Sequence, residues 1–363
     1  MFKKNLYAFK ELIKRVPAIG AVAWRARFLF AYLRSTGPKT ACHFKEMFVN
    51  SQGEIYPCCQ VWGINAMKIG RIDDVDIQKK LERFKAYCGC SRARFRKLLP
   101  SDSMRVKLVI AELSLACQAS CAMCCVDSPS WHGKYDNYES LAKFIDLCRP
   151  KNLMVQGGEV LIQKESLKWL YGIKNRYPEL KIILVTNGNV NLELVEMVED
   201  LFSAVAISIV GFEPETYKKI MGLDINKTIA FVEELIKRNK TKVWLKYLTT
   251  PLNLHETNLF LKWAIKAAPE RIVIADADTR RYINDTKDMF WSKIIERTSH
   301  DVKSELILAR ADLINKRTTI AFDQLAKELF EIDENFVKSN DLGSVVDITS
   351  GAAFFVDKGL NGL

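Results

Sequence analysis

Three cysteines, Cys117, Cys121 and Cys124, stand within eight residues in the spacing Cys-x3-Cys-x2-Cys. Thiolates are the usual protein ligands of iron–sulfur clusters, and a closed four-iron cluster takes four of them. Three from one short loop leave one iron without a protein ligand, open to a small molecule. The same residues also suit a zinc loop or a set of buried cysteines. Zinc sites, however, usually pair two ligand knuckles, and the residues after Cys125 offer no second pair. Ligand softness and spacing therefore favour an iron–sulfur centre.

A second group lies upstream, in CHFKEMFVNSQGEIYPCCQVW and IGRIDDVDIQKKLERFKAYCGC. HFKEMFVN and EIYPCC read as two strands joined by a turn at Ser51-Gln52-Gly53. Such a hairpin brings Cys42 near Cys58, and a helix over about 76–86 returns Cys88 and Cys90 to the same place. Four thiolates from two ends of a small unit close a metal site completely. Cys59 is a fifth candidate ligand, and a zinc hairpin without redox function is the alternative.

Other residue types that can do chemistry end apolar runs. Gly157-Gly158-Glu159 pairs close backbone approach with a carboxylate able to accept from an ammonium group, although such a tripeptide is also an ordinary turn. Asn187, in Thr186-Asn187-Gly188, either meets a ligand or shapes its own turn. Lys246 is a cation amid apolar residues, which either neutralises an anion or snorkels to the surface. Asp276 and Asp278 either meet substrate or cap the next segment. Cys59, Cys125 and Asp127 are candidate local acids, bases or hydrogen donors, with packing as the alternative for Cys125.

The elements that must position these groups alternate. Apolar, β-rich runs occur at LVIAEL (108–113), NLMVQG (152–157), KIILVTNG (181–188), AVAISIV (204–210), KVWLKYLTT (242–250) and RIVIADAD (271–278). Amphipathic helical patterns separate them, such as LIQKESLKWLYGIKNRYP and HETNLFLKWAIKAAP. Near-continuous apolar strands alternating with helices predict an α/β fold with a parallel sheet covered on both faces. Sites in such folds gather at the carboxyl ends of strands, where the cysteine loop follows the first run. After about residue 285 the pattern is helical to roughly 336, and the Gly-rich tail is either a docked strand or a loose end.

The chain has 363 residues, 48% of them apolar and 27% charged, which suits a globular protein with one domain of about 200 residues and smaller attachments. The expected compartment is a reducing cytoplasm, because no signal-peptide pattern or long apolar run accompanies the ten cysteines. Of the net charge of +11, residues 1–100 carry +13, from 20 Lys and Arg against 7 acidic residues, and the remainder carries −2. Within this basic part, AVAWRARFLFAYLR reads as an amphipathic helix. It either packs on its own domain or meets an anionic membrane or nucleic-acid phosphates.

The triplet, the Gly-Gly-Glu and the stretch SIVGFEPETYKKIMG occur in the order and context of one family. In all three the chain resembles the radical S-adenosylmethionine (SAM) enzymes. The resemblance implies a partial (β/α)6 TIM-like barrel over 101–285. It further implies a [4Fe-4S] cluster on Cys117, Cys121 and Cys124, with SAM bound at the open iron and cleaved to a 5′-deoxyadenosyl radical. Gly157, Gly158, Glu159, Asn187, Ser208 and Lys246 then contact SAM. Met123 and Val210 depart from the aromatic and the acidic or amide residue usual there. The Cys42-x10-Gly53-x4-Cys58 stretch resembles the SPASM and twitch extensions, which implies an auxiliary iron–sulfur cluster on Cys42, Cys58, Cys88 and Cys90 in a small hairpin–helix domain over 42–100. That domain precedes the barrel, and its closing pair is Cys-x-Cys. Residues 1–41 are then basic amphipathic helices, and 286–363 a helical C-terminal extension and tail. The reductant implied is a flavodoxin or ferredoxin, and the first substrate class a peptide or protein. A sugar or other small metabolite, or an RNA or membrane-linked substrate, is the alternative. A metal-stabilised binding module is the non-enzyme alternative.

Overall fold

The computed structural model describes residues 46–57, 68–83, 106–122, 124, 126, 128, 133, 135–276 and 289–347. Residues 1–41, expected to form basic helices, together with Cys42, Cys58, Cys59, Cys88, Cys90, Cys125, Asp127, Asp278 and the tail beyond 347, lie outside the described residues. The chain divides into two compact units, the first reaching Ile110 and including Asn137–Lys151, the second formed by Ala111–Asp136 and everything from Asn152 onward.

In the first unit, β1 (Glu46–Val49) and β2 (Glu54–Tyr56) pair antiparallel with Phe48 opposite Tyr56 and Val49 opposite Ile55. The turn between them falls where the sequence placed it. Asn50 accepts from the backbone N–H groups of Gln52 and Glu54 at 3.1 and 2.8 Å, an Asx-type closure, and Gly53 takes a left-handed φ of +78°. β3 (Gly70–Arg71) adds to β2 antiparallel. Helix α1 (Ile77–Arg83) falls inside the helical stretch read from the sequence. Helix α2 (Tyr138–Cys148) belongs to this unit as well, with Asn137 ahead of it donating to the Ser51 carbonyl at 3.1 Å.

Strand β4 (Leu108–Glu112) carries the chain from the first unit into the second, and all five of its residues are buried. The second unit continues β5 (Asn152–Gln156), α3 (Lys164–Arg176), β6 (Lys181–Thr186), α4 (Val195–Leu201), β7 (Ala204–Ile209), α5 (Pro214–Met221), α6 (Ile225–Arg238), β8 (Lys242–Thr249), α7 (Thr257–Ala267) and β9 (Arg271–Asp276). Then follow α8 (Met289–Leu308), α9 (Arg310–Asn315), β10 (Thr319–Phe322), α10 (Gln324–Phe330), α11 (Glu334–Ser339) and β11 (Val345–Asp347). Strands β5 to β11 neighbour one another in chain order and pair parallel. This is a mixed α/β fold with a parallel sheet. The six expected strands stand within one or two residues of their predicted bounds. β10 and β11 are additions to that reading. The first lies in the middle of the stretch expected to be helical, and the second docks the start of the tail.

The helices cover the sheet with apolar stripes at the 3.6-residue period. In α6 the buried residues are Ile225, Thr228, Phe231, Val232 and Leu235, and Asp224 caps its start by accepting from the Asn226 N–H. In α7 they include Phe260, Leu261, Ala264 and Ile265. The sheet meets α7 with the buried Tyr247, which stacks on Phe260 with ring centroids 4.5 Å apart. Full burial of each such side chain contributes about 1.5–3 kcal/mol, so the sheet's central strands are held chiefly by this layer. Among the described residues, no helix is long and apolar enough to cross a membrane.

Candidate functional site

The cysteine loop leaves β4 at the carboxyl edge of the sheet, and three sets of contacts fix its path. The first comes from the end of β5. The N–H groups of Gly158 and Glu159 donate to the carbonyls of Ser114 and Ala116, both at 2.8 Å. A Cβ at Gly157 would strike the Ser114 carbonyl oxygen, and one at Gly158 the carbonyl oxygens of Leu115 and Ala116. The glycine pair is thus required by a backbone-to-backbone approach that no side chain permits. Gln163 adds a fork, its amide donating to Ser114 and Ala116 carbonyls at 3.3 and 3.0 Å, while Ser166 donates to its oxygen at 2.8 Å.

The second set comes from the end of α5. Ser120 and Ala122 donate their N–H groups to the terminal carbonyls of Met221 and Ile220 at 3.0 and 2.9 Å. Gly222 ends that helix at φ +70°, and a Cβ there would collide with the Ser120 hydroxyl. The third set comes from the end of β6. Gln118 donates to the Asn187 side-chain oxygen and to the Asn189 carbonyl, both at 3.2 Å. The Asn187 amide in turn lies 3.8 Å from Cys117 Sγ, a donor on sulfur.

Two of the three sulfurs also receive backbone donors, Cys117 from Ala119 N–H and Cys124 from Ser128 N–H, each at 3.4 Å. Such donors favour a sulfur that carries charge. Burial opposes that charge. It pushes the Cys121 thiol up to about 11, helped by the proximity of Cys117 and Cys124. It raises Cys117 too, against the pull of the Ala119 N–H and Asn187. A thiophilic cation supplies the missing compensation, because coordination displaces the proton outright. The donor set is three half-buried thiols on a loop whose backbone is pinned on three sides. That set fits a cluster bound through three cysteines with one iron left for a ligand.

Glu159 has a more local occupation than its residue type suggested. It is fully buried, and Thr186 Oγ1 donates to both of its oxygens at 2.8 Å. The backbone N–H groups of Asn187 and Leu161 donate as well, at 2.8 and 3.0 Å. The carboxylate therefore ties the end of β5 to the end of β6. Its pKa lies above the ordinary value because burial outweighs these donors. Ser208 and Lys246 are register partners on β7 and β8, both half-buried. Val210 is buried. Asp276, at the end of β9, is buried and accepts from Thr249 Oγ1 at 2.6 Å, while its N–H donates to Asp323. Burial, then the Asp276 charge, raises the Asp323 carboxyl, and Lys246 pulls it back. Asp323 thus feels the charges of both Asp276 and Lys246 at the same edge.

Sequence reasoning passed over Gln118, Gln163, Ser120, Gly222, Thr186 and Asp323. Single polar residues carry no periodicity, and their partners are 27 to 69 residues distant for Thr186 and Gln118. Gly222 alone had a signal, as a glycine closing an apolar helix.

Replacing Gly158 by alanine forces the loop off β5. The expected cost is about 2 kcal/mol, an overpacking penalty against rigid backbone. It should appear as a lowered urea midpoint of the iron-free protein together with reduced iron retention. An unchanged midpoint and iron content would show that the loop has a second stable path.

A family model described as the Radical SAM superfamily matches residues 112–264. A probable GTP 3′,8-cyclase of Methanococcus vannielii is 28% identical over 120 residues, 32% of this chain and 39% of that protein. The chain therefore spans about two fifths of the length of this curated relative. Among solved structures, Streptococcus suis SuiB bound to S-adenosylmethionine is similar with a TM-score of 0.43 and 16% identity, over 60% of this chain and 48% of SuiB. The hydrogenase maturase HydG of Carboxydothermus hydrogenoformans gives a TM-score of 0.41 and 14% identity, over 76% of this chain and 70% of HydG. Residues 112–264, from the last residue of β4 through most of α7, are accordingly a radical SAM superfamily domain.

Proposed function

We propose that this protein is a radical SAM enzyme that binds a [4Fe-4S] cluster through Cys117, Cys121 and Cys124 and uses it to act on a peptide or protein. The observation that carries the reading is the three-cysteine loop held against the Gly157–Gly158 backbone at the carboxyl edge of a parallel sheet. When bound, such a cluster with S-adenosylmethionine on its open iron supplies reductive cleavage to methionine and a 5′-deoxyadenosyl radical, which removes a substrate hydrogen atom. The chain's own residues hold and orient. Ala119 N–H, Ser128 N–H and the Asn187 amide support negative sulfur. Gly157 and Gly158 bring main chain close to the bound nucleotide. The Ser208 hydroxyl and the Lys246 ammonium, neighbours in register, would bind its polar groups, with Lys246 supplying the counter-charge to a carboxylate. Glu159 acts through Thr186 and Asn187, setting the position of the Asn187 amide. We read the sequential parallel sheet as a partial barrel, and place the enzyme in a reducing cytoplasm with a flavodoxin or ferredoxin as electron donor.

We assign an auxiliary iron–sulfur cluster to Cys42, Cys58, Cys88 and Cys90. Support comes from the register of β1 and β2, which puts the start of one strand and the end of the other at the same end of the hairpin. The peptide reading rests on the likeness of this segment to SPASM and twitch extensions. A small-metabolite substrate is the second reading, favoured by the 28% identity to a protein named as a probable GTP 3′,8-cyclase.

Anaerobic reconstitution, an iron count and a 5′-deoxyadenosine assay with dithionite test the chemistry. The expected iron is about eight atoms per chain, two clusters of four. Replacing Cys42 and Cys58 by alanine should remove about four of them and spare SAM cleavage. Unchanged iron in that variant would refute the auxiliary cluster while leaving the first one standing. A screen of peptides encoded beside the gene, run against GTP and simple sugars, separates the two substrate classes by which one consumes 5′-deoxyadenosyl equivalents.

A further inference from the structure

Away from the cysteine loop, Glu213, His255 and Glu256 bring one imidazole nitrogen and two carboxylate oxygens within 4.8 Å of one another. Glu213 precedes α5 in the loop after β7. His255 and Glu256 lie in a 3-10 turn, Leu254–Glu256, in the loop after β8. Two connections that the sheet places side by side thus converge on one point.

Glu256 is the informative member. Its side chain is 0% exposed, and one oxygen, Oε2, accepts from the N–H groups of Phe212 and Glu213 at 2.6 and 3.1 Å. That accounts for half of the carboxylate. The other oxygen, Oε1, is buried and has no hydrogen-bond partner. His255 Nε2 lies 3.6 Å from it. A buried anionic oxygen left without a donor costs about 1–3 kcal/mol or more, so the arrangement needs a counter-charge. His255 is 56% exposed on its side chain and Glu213 is exposed, so both can reach inward from solvent. The field at this point is negative, since the two carboxylates add to burial in raising the Tyr247 phenol.

We propose that Glu213, His255 and Glu256 form a binding site for a divalent transition-metal cation of the zinc type, with water completing the coordination. The donor set is borderline in softness, one imidazole and two carboxylates, which suits zinc better than magnesium or calcium. Zinc holds nitrogen and oxygen ligands at about 2.0–2.2 Å, which in a tetrahedron separates them by about 3.3 Å. The 3.6 Å between His255 and Glu256 is close to that value, and rotation of the exposed Glu213 closes the remainder. The ion neutralises Glu256 and staples the loop after β7 to the loop after β8. The site shares no residue with the cysteine loop or its anchors, and it does not depend on the proposed reaction.

The test uses the full chain, reconstituted anaerobically with iron and sulfide so that cluster-forming thiolates are occupied, then dialysed against zinc. Wild type should retain one zinc per chain more than Glu213→Gln/His255→Ala, with equal iron in both. Each single variant should weaken zinc binding at least about tenfold. Both replaced side chains are exposed, so folding is preserved, and circular dichroism verifies it. X-ray absorption at the zinc edge of the wild-type protein should show only nitrogen and oxygen neighbours near 2.0–2.1 Å. Equal zinc in wild type and the double variant overturns the proposal, as does a sulfur shell near 2.3 Å.

Discussion

Replacing Cys117, Cys121 and Cys124 together by alanine should abolish the proposed S-adenosylmethionine cleavage and remove about four irons per chain, while the iron-free protein keeps its secondary structure. The two halves of this outcome have separate causes. The thiols are half-buried on a loop whose course is set by main-chain bonds from Gly158, Glu159, Ser120 and Ala122. Truncation to alanine leaves those bonds in place and removes little packing, so the apo-protein's stability should change by less than about 1 kcal/mol. The proposed cluster, by contrast, loses all three of the ligands assigned to it. Single replacements should be graded. Cys121→Ala is expected to be the mildest for retention, because it leaves Cys117 and Cys124, the two sulfurs helped by backbone donors. Iron and sulfide analysis with the 5′-deoxyadenosine assay reads both effects. Persistent cleavage in the triple variant would place the cluster elsewhere and end the reading of residues 112–264 given above.

The strands were legible because their chemistry is repetitive. LVIAE, NLMVQ and KIILVT are runs in which nearly every residue is buried, and no surface element tolerates such a run. β10 escaped because TIAF is four residues between two helical patterns, too short for length or period to separate strand from helix. β11 escaped for the same reason at three residues. The hairpin turn was legible through Asn50 and Gly53, whose side-chain chemistry and positive φ define the bend locally. Grouping α2 with that hairpin was not, because the link from Asn137 to Ser51 spans 86 residues. At the site, the cysteine spacing and the glycine pair could be read because each is a local constraint. What each glycine avoids could not, since the obstacles are the carbonyls of Ser114, Leu115 and Ala116, some forty residues earlier. Glu159 marks the limit of reasoning from residue type. A carboxylate after two glycines is a plausible acceptor for a ligand's ammonium, and the fold instead gives it three donors of its own.

That occupation makes Glu159→Ala the most damaging single change expected in the sheet edge. Removing the carboxylate strands the Thr186 hydroxyl and the N–H groups of Asn187 and Leu161 in a fully buried pocket. At about 1–3 kcal/mol for each unsatisfied buried donor, discounted for relaxation, the loss is about 4 kcal/mol. Glu159→Gln keeps one acceptor oxygen and the volume, and should cost about half as much. The effect reaches the cluster loop, because Asn187 carries both the N–H that Glu159 holds and the amide beside Cys117. Iron retention should therefore fall in the order wild type, Gln, Ala. pH separates charge from shape. Burial raises the Glu159 carboxyl above its ordinary 4.5, so its contribution is complete below that value in the unfolded chain and declines as pH climbs through the folded one. The glutamine variant lacks this titration, and its deficit against wild type should narrow as pH rises from about 4.5. Urea unfolding of the iron-free proteins across that range measures it. An alanine variant within about 1 kcal/mol of wild type, or a deficit that widens with pH, would mean that Thr186 and Asn187 find other partners and that Glu159 is free to serve a ligand after all.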